Sequence, residues 1–130
     1  MRYSLLLHNP EAQDAGVTEE DMAPFRVAFD NYAKSLEAAE VLISADILQP
    51  VAAATTLTLR NGSLQIQDGP FADTKEQLGG TFVIEVPDLD AALAWAEKCP
   101  GAQYGVIEIR PSAIVFADGQ WHNLTDSATT

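Results

Sequence analysis

Hydrophobic and polar residues alternate along several short stretches of the chain, and a period of two predicts β-strands. The opening run, residues 3–7, is apolar and ends at His8-Asn9-Pro10, which predicts a short first strand. Residues 41–48 are rich in branched apolar side chains and predict a second strand. Further strands are predicted at residues 55–60, 63–67, 81–86 and 104–110, with a short additional strand at 113–116.

Two segments space their apolar side chains by three and four residues, which predicts amphipathic helices. The first helix follows Thr18, a hydroxyl cap with three acids behind it, and runs to about Glu40. We expect Pro24 in its first turn, where the missing N–H costs little. The second helix covers residues 89–98 after the cap Asp88. The apolar stripe of the first helix consists of Met22, Phe25, Phe29, Tyr32 and Leu36.

Asn61-Gly62 lies between two alternating strands, and this dipeptide predicts a hairpin because both central residues of a type I′ turn need positive φ. The element order is strand, helix, strand, hairpin, strand, helix, strand. This order predicts a ferredoxin-like α+β fold: an antiparallel sheet with two helices on one face and an inserted β-hairpin. A doubly wound parallel sheet is the alternative, but it needs more helices and fully apolar central strands.

Alternation in the last two long strands separates an apolar face from a mixed one. The apolar set, which suits packing under the helices, is Phe82, Ile84, Val86, Ile107 and Ile109. The opposite set interleaves Val83, Tyr104 and Val106 with Glu85, Glu108 and Arg110. This mixed face is either solvated or covered by another subunit, with a cavity lined by the charges. A second copy is favoured, because such an apolar patch is a liability on a monomer.

Charge and composition narrow the classes of partner. The 130 residues form one domain of ordinary globular composition, with 47% hydrophobic and 20% charged residues. The net charge of -12 disfavours nucleic acid and membrane surfaces, since both are anionic. Cys99 is the only cysteine, so no intramolecular disulfide forms. The first residues lack a signal-peptide pattern and no membrane span is predicted, so a cytoplasmic location is expected.

Templates for metal and nucleophilic chemistry do not match this chain. His8 and His122 lack ligand spacing, and Cys99 at a helix end is expected to be a buried small hydrophobe. We therefore predict no metal and no cofactor. Asp68-Gly69-Pro70-Phe71 by itself is turn chemistry, with Phe71 as a core plug, and residues 72–77 are a polar connector.

The string from Asp68 to Gly80, Asp-Gly-Pro-Phe-Ala-Asp-Thr-Lys-Glu-Gln-Leu-Gly-Gly, resembles the signature of the DGPF proteins, a branch of the YCII-related family. The resemblance spans roughly residues 1–111, so residues 1–112 are taken as the domain and 113–130 as a short extension with a polar, flexible tail. Supporting segments are Tyr3 to Leu7, Leu48 to Pro50, Val86 to Ala92, Trp95-Ala96, Cys99 to Ala102 and Glu108 to Pro111. The resemblance implies a dimeric α+β barrel in which two sheets face each other.

The resemblance implies a small homodimeric protein that binds a small molecule between the sheets, and it leaves open whether the protein is an enzyme. Some relatives are proposed to use a His–Asp pair with the His on the first helix, and one related enzyme is a dehydrochlorinase. Here the first helix has no His, so Asp68 is the catalytic candidate without that partner. The alternative is a non-catalytic partner of a regulatory protein such as an extracytoplasmic-function sigma factor. The candidate ligand-binding residues are Asp68, Gly69, Pro70, Phe71, Lys75, Glu76, Glu108 and Arg110.

Overall fold

The computed structural model describes residues 1–11 and 16–125. This part of the chain contains eight strands, two α-helices and two short 3₁₀ turns at Val51–Ala53 and Pro100–Gln103. In chain order the strands and α-helices are β1 (Arg2–Asn9), α1 (Glu19–Ala38), β2 (Leu42–Ile47), β3 (Thr55–Arg60), β4 (Ser63–Asp68), β5 (Gln77–Glu85), α2 (Leu89–Lys98), β6 (Val106–Pro111), β7 (Ile114–Ala117) and β8 (Gln120–Asn123).

Four strands form one antiparallel sheet in the order β2-β5-β1-β6. β1 is central, and its Leu5 lies opposite Phe82 of β5 on one side and Ile109 of β6 on the other. The pairs β3-β4 and β7-β8 are separate two-stranded sheets. The predicted α+β class and ferredoxin-like arrangement with an inserted hairpin are therefore confirmed.

Both helices cover the same face of this sheet, as the alternation predicts. The Phe82 ring lies between two rings of α1, stacked on Phe29 and edge-on to Tyr32. Burying these side chains supplies the main driving force for folding, at about 25 cal/mol per Å² of apolar surface. Among the described residues, neither helix is long and apolar enough to cross a membrane. The core consists of Tyr3, Leu5, Leu7, Tyr32, Leu36, Phe82, Ile84, Val86, Ala92, Ala96 and Cys99.

The start of α1 has the predicted cap. The Thr18 hydroxyl accepts a hydrogen bond from the Asp21 N–H, and the Asp21 carboxylate accepts one from the Thr18 N–H. The hydrogen bond from the Thr18 N–H to the carboxylate, with a second contribution from the Thr18 side chain, holds the pKa of Asp21 below its usual value. The prediction for Pro24 is wrong: it is the sixth residue of the helix, past the first turn. The capping box fixes the helix start at Glu19, one full turn before the proline.

The hairpin β3–β4 was predicted from the sequence, whereas the hairpin β7–β8 was not. Asn61 and Gly62 have φ values of 52° and 77°, so the predicted positive-φ turn between β3 and β4 is confirmed. The short strand predicted at 113–116 is confirmed as β7, Ile114–Ala117, but the polar tail predicted from Asp118 is wrong for residues 120–123, which form β8. The Asp118-Gly119 turn, with φ of 56° and 78°, instead folds this segment into β7 and β8. Residues 126–130 of the predicted flexible tail lie outside the described residues.

Candidate functional site

The face of the four-stranded sheet that the helices leave uncovered is called here the helix-free face. Its central row places Leu6 of β1 between Thr81 of β5 and Glu108 of β6. The next row places Ser4 between Val83 and Arg110. Tyr104 does not belong to this face, contrary to the prediction, because it precedes β6. Its ring packs against Phe25 of α1, with the two ring centroids 5.1 Å apart. The face therefore combines a short aliphatic centre with charged side chains along β6.

Three of the polar residues on the helix-free face form a cluster, His8, Glu108 and Arg110. The Nε2 atom of His8 lies 3.1 Å from Oε1 of Glu108, and the Arg110 guanidinium donates to Oε2 of the same carboxylate. The hydrogen bond from Arg110, with a second contribution from His8, holds the pKa of Glu108 below its usual value. Glu108 is therefore an ionised acceptor at neutral pH.

The ionised carboxylate of Glu108 determines which ring nitrogen of His8 carries the proton in the neutral ring. An ionised carboxylate only accepts hydrogen bonds, so Nε2 of His8 carries the proton that points to Glu108. In the neutral ring, Nδ1 then holds a free lone pair, and the ring makes no other hydrogen bond to the described residues. A carboxylate-oriented imidazole can accept a proton or a hydrogen bond from a ligand. Glu108 and Arg110 are among the site residues predicted from the sequence, whereas His8 is not.

The signature segment forms a turn at the base of the first hairpin. Asp68 is the last residue of β4, and Gly69 follows with φ of 101°, a conformation that favours glycine. The Gly69 N–H donates to the Ala54 carbonyl at 2.8 Å, and the Thr56 hydroxyl donates to the Gly69 carbonyl at 2.8 Å. Within the described part of the chain, no hydrogen bond or ion pair reaches the Asp68 side chain. The backbone of Gly69, not the Asp68 carboxylate, anchors the turn.

Two predictions for the rest of the signature are wrong. Phe71 is not a core plug, because its side chain is 80% exposed. Gln77 is not part of a polar connector but the first residue of β5, and it is buried. Its side-chain amide donates to the carbonyls of Ala72 and Thr74, at 3.1 and 3.0 Å, and so pins the loop to the sheet. The Gln77 amide, rather than the Phe71 ring, holds the loop against the sheet, so the ring remains exposed.

The glycines that close the signature allow close approach between strands. A Cβ atom on Gly80 would lie 2.7 Å from the backbone oxygen of Asp46 on the neighbouring strand β2. A rigid backbone oxygen cannot move away at little cost, so a larger residue would push β2 off β5. Gly80 therefore sets the edge of the sheet where the first hairpin begins.

An open cleft of about 450 Å³ lies beside this turn. Pro70 of the signature lines it, together with Leu78, which stands opposite His8 in the register of β5 and β1. Leu78 thus belongs both to the cleft and to the end of the helix-free face that carries His8. The remaining lining residues are Leu48, Gln49, Pro50, Val51, Ala53, Ala54 and Gln77.

The predicted site residues thus fall into two groups. Glu108 and Arg110 meet in the His8 cluster, and Pro70 lines the adjoining cleft. Asp68, Lys75 and Glu76 are exposed, and in the described residues no hydrogen bond or ion pair joins them to the cluster. Sequence spacing could not reveal the cluster, because His8 and Glu108 are 100 positions apart and meet only through the pairing of β1 with β6.

Cys99 is a core residue, as predicted. Its side chain is buried among the helices, and this burial raises the pKa of its thiol above the usual 9.0. The thiol is therefore protonated at neutral pH and unsuited to nucleophilic chemistry. In residues 1–11 and 16–125, no three His, Cys, Asp or Glu side chains are grouped closely enough to hold a metal ion.

Comparison with known proteins adds a family and a relative. A family model, the YCII-related domain, matches residues 1–113. An uncharacterized protein of Rhizobium meliloti (strain 1021) is 37% identical over 117 residues, which cover 88% of this chain and 94% of that protein. The family match, residues 1–113, includes both the signature loop and the strand that carries Glu108 and Arg110.

Proposed function

Because the chain belongs to the YCII-related family, and because its helix-free face carries an ordered polar cluster beside a cleft, we propose that it is a homodimer that binds a small organic molecule between its two sheets. The His8–Glu108–Arg110 cluster supports this proposal most directly. It holds a hydrogen-bonding imidazole and a guanidinium next to the aliphatic side chains of Leu6 and Val83. The ligand accordingly has an apolar body and one anionic or hydrogen-bonding group.

The burial pattern supports the homodimer. On the helix-covered face every second residue of β1 is buried, whereas Leu6, between them, remains partly exposed, and Val106 of β6 is exposed. A second copy of the same face would remove these side chains from water. We expect sedimentation at micromolar concentration to report about 28 kDa, twice the 14.0 kDa chain. A 14.0 kDa species at every concentration would contradict the homodimer.

The ligand site is tested with a panel of small aromatic and aliphatic carboxylates and phenols, followed by amide chemical shifts of isotopically labelled protein. We expect the shifts to map to His8, Glu108 and the neighbouring Leu6. Arg110→Ala should weaken binding about tenfold, because a charge-assisted hydrogen bond is lost. Arg26→Ala is the matched control, since Arg26 forms an exposed ion pair with Glu19 on α1. Equal losses in both variants, or shifts confined to α1, would contradict the site.

Asp68 supplies a separate test of the signature. We propose that its carboxylate faces the ligand in the dimer. Asp68→Ala and Asp68→Asn should then both weaken binding of the best probe of the panel, while the melting temperature stays unchanged because no hydrogen bond to the turn is lost. A purely turn-forming Asp68 would give the opposite pattern: Asn tolerated, Ala lowering the melting temperature, and probe binding unaffected in both.

The accessory-protein alternative, with a sigma factor or similar regulatory partner, stays a prediction from the family resemblance, as does the cytoplasmic location. The two functions make different forecasts for the helix-free face. A ligand-binding homodimer buries this face against its own copy, whereas an accessory protein offers a surface to another chain. Genes of small-molecule catabolism next to the coding sequence would favour the first, and a flanking sigma-factor gene would favour the second.

A further inference from the structure

The β3–β4 hairpin projects from the domain as an unsupported arm. We call residues 57–66 the first arm. Cross-strand pairing sets Leu57 opposite Ile66 and Leu59 opposite Leu64, so these four aliphatic side chains share one face. Each is between 57% and 64% exposed. A two-stranded hairpin alone is at best marginally stable in water, so this apolar face needs a cover.

The β7–β8 hairpin, residues 114–123, is a second arm of the same kind. Phe116 stands opposite Trp121 with the ring centroids 5.2 Å apart, and Ile114 lies two residues from Phe116 on the same face. These three side chains are between 53% and 64% exposed. The molecule therefore presents two apolar hairpin faces of similar size.

The two arms follow strands at opposite edges of the sheet. The first arm comes after β2, which is one edge strand, and the second arm comes after β6, which is the other. Within one chain the apolar faces of both arms stay exposed, so neither covers the other. A cover from a second copy of the chain is consistent with the homodimer proposed above.

The charges of the arms are complementary. The first arm carries Arg60 and no acid, whereas the second carries Asp118 and no Lys or Arg, in a chain of net charge -12. Arg60 adjoins the Asn61-Gly62 turn, and Asp118 forms part of the other turn. Among the ion pairs of the described residues, neither charge takes part. Pairing like arms would oppose two Arg60 or two Asp118 side chains, and pairing unlike arms avoids this.

The sheet alone is also small for a stable interface. Four strands about 4.8 Å apart and about six residues long present a rectangle of roughly 400 Å². A stable interface covers about 800 Å² on each partner. We infer that in the homodimer the first arm of each copy packs its apolar face on the second arm of the other copy. A two-fold axis makes this contact twice, so both arms of both copies are covered.

This inference rests on the proposed homodimer, and its test separates the two. In a Trp95→Phe background, Trp121 is the only tryptophan, and its emission should move to shorter wavelength as the protein dimerises. Leu59→Glu should reverse this shift at concentrations where sedimentation still reports a dimer, because residue 59 then no longer covers the indole. Val27→Glu, an equal charge change on an exposed position of α1, is the control and should leave the emission unchanged.

A charge exchange provides the second measurement and keeps Trp95. Arg60→Glu and Asp118→Arg should each weaken the dimer roughly five- to tenfold, because each dimer has two such contacts, and the double variant should restore it. The arm pairing is wrong, and the homodimer stands, if the dimer forms but Leu59→Glu leaves Trp121 emission unchanged and the double variant does not restore dimer affinity. If the unsubstituted chain is monomeric at every concentration, both are wrong.

Discussion

The two faces of the four-stranded sheet are built from alternate residues of the same strands, yet they are opposite in character. On β1, Leu5 and Leu7 are buried under the helices, whereas Leu6 and His8 face away from them and remain partly exposed. The helix-covered face is completed within one chain. The helix-free face carries the ion pairs of Glu108 with His8 and Arg110. Its aliphatic centre is left uncovered by the rest of the described chain. The difference separates the residues that make the fold from those available for binding.

Truncation of the neighbouring residues Leu5 and Leu6 should separate the roles of the two faces most clearly. Leu5→Ala should lower the free energy of unfolding by about 3–5 kcal/mol at every protein concentration, because it leaves a cavity in a fully buried site. Leu6→Ala should lower it only at concentrations where the dimer is populated. Urea unfolding at several concentrations measures both. Equal, concentration-independent losses would show that the two faces do not differ in role.

A charge on the helix-free face tests its assembly role. Val83→Glu should weaken the dimer roughly a hundredfold, because two unpaired carboxylates would be buried near the two-fold axis. The fold should persist, since Val83 points away from the helices. Val27→Glu adds the same charge on α1 and should leave the dimer intact. Sedimentation equilibrium measures the dissociation constants, and a dimer indifferent to Val83→Glu would place the interface elsewhere.

The ion pairs of Glu108 should make a smaller, pH-dependent contribution to stability. The pKa of Glu108 lies below its usual 4.5 in the folded chain, so its ion pairs stabilise the fold above that value, and this contribution is lost as the pH falls through the folded pKa. The difference in urea midpoint between the unsubstituted chain and Glu108→Gln should therefore close as the pH falls below 4.5. In an Arg110→Ala background, the difference in urea midpoint between the chains with Glu108 and with Glu108→Gln should be smaller at neutral pH. A difference that grows on acidification would contradict the cluster.

The sequence was a good guide where a physical signal is local. Period-two alternation identified the buried side chains of β5, and Asn61-Gly62 identified the first turn, because side-chain direction and φ depend on few neighbours. Pro24 was misplaced even though the cap Thr18 was predicted correctly, because a helix that starts at Glu19 already has Pro24 as its sixth residue. The second hairpin was missed although Asp118-Gly119 is a hairpin dipeptide, because the strand after this turn has a single large apolar residue, Trp121, among polar ones.

The candidate site was harder to predict because it depends on pairing between distant strands. His8 had no local partner, and its contact with Glu108 requires both the placement of β6 next to β1 and the register that sets His8 opposite Val106. A sequence signal existed, since the predicted ferredoxin-like order makes the first and last strands neighbours. Gln77 is buried and Phe71 is exposed, the reverse of what the sequence predicted. The carbonyls of the loop need a hydrogen-bond donor, which the Gln77 amide supplies and the Phe71 ring cannot.

The central position of β1 has a consequence for the order of folding. Residues 2–9 pair with residues 77–85 and 106–111, so the first strand of this sheet to be synthesised is among the last to find its partners. Until then, its leucines depend on α1 or a chaperone for protection from aggregation, while the two hairpins can form early from local contacts. Large loop closures dominate the barrier, so refolding should be slow for a chain of this length. Circular permutation that places β1 after β6 would shorten both of these closures and speed refolding.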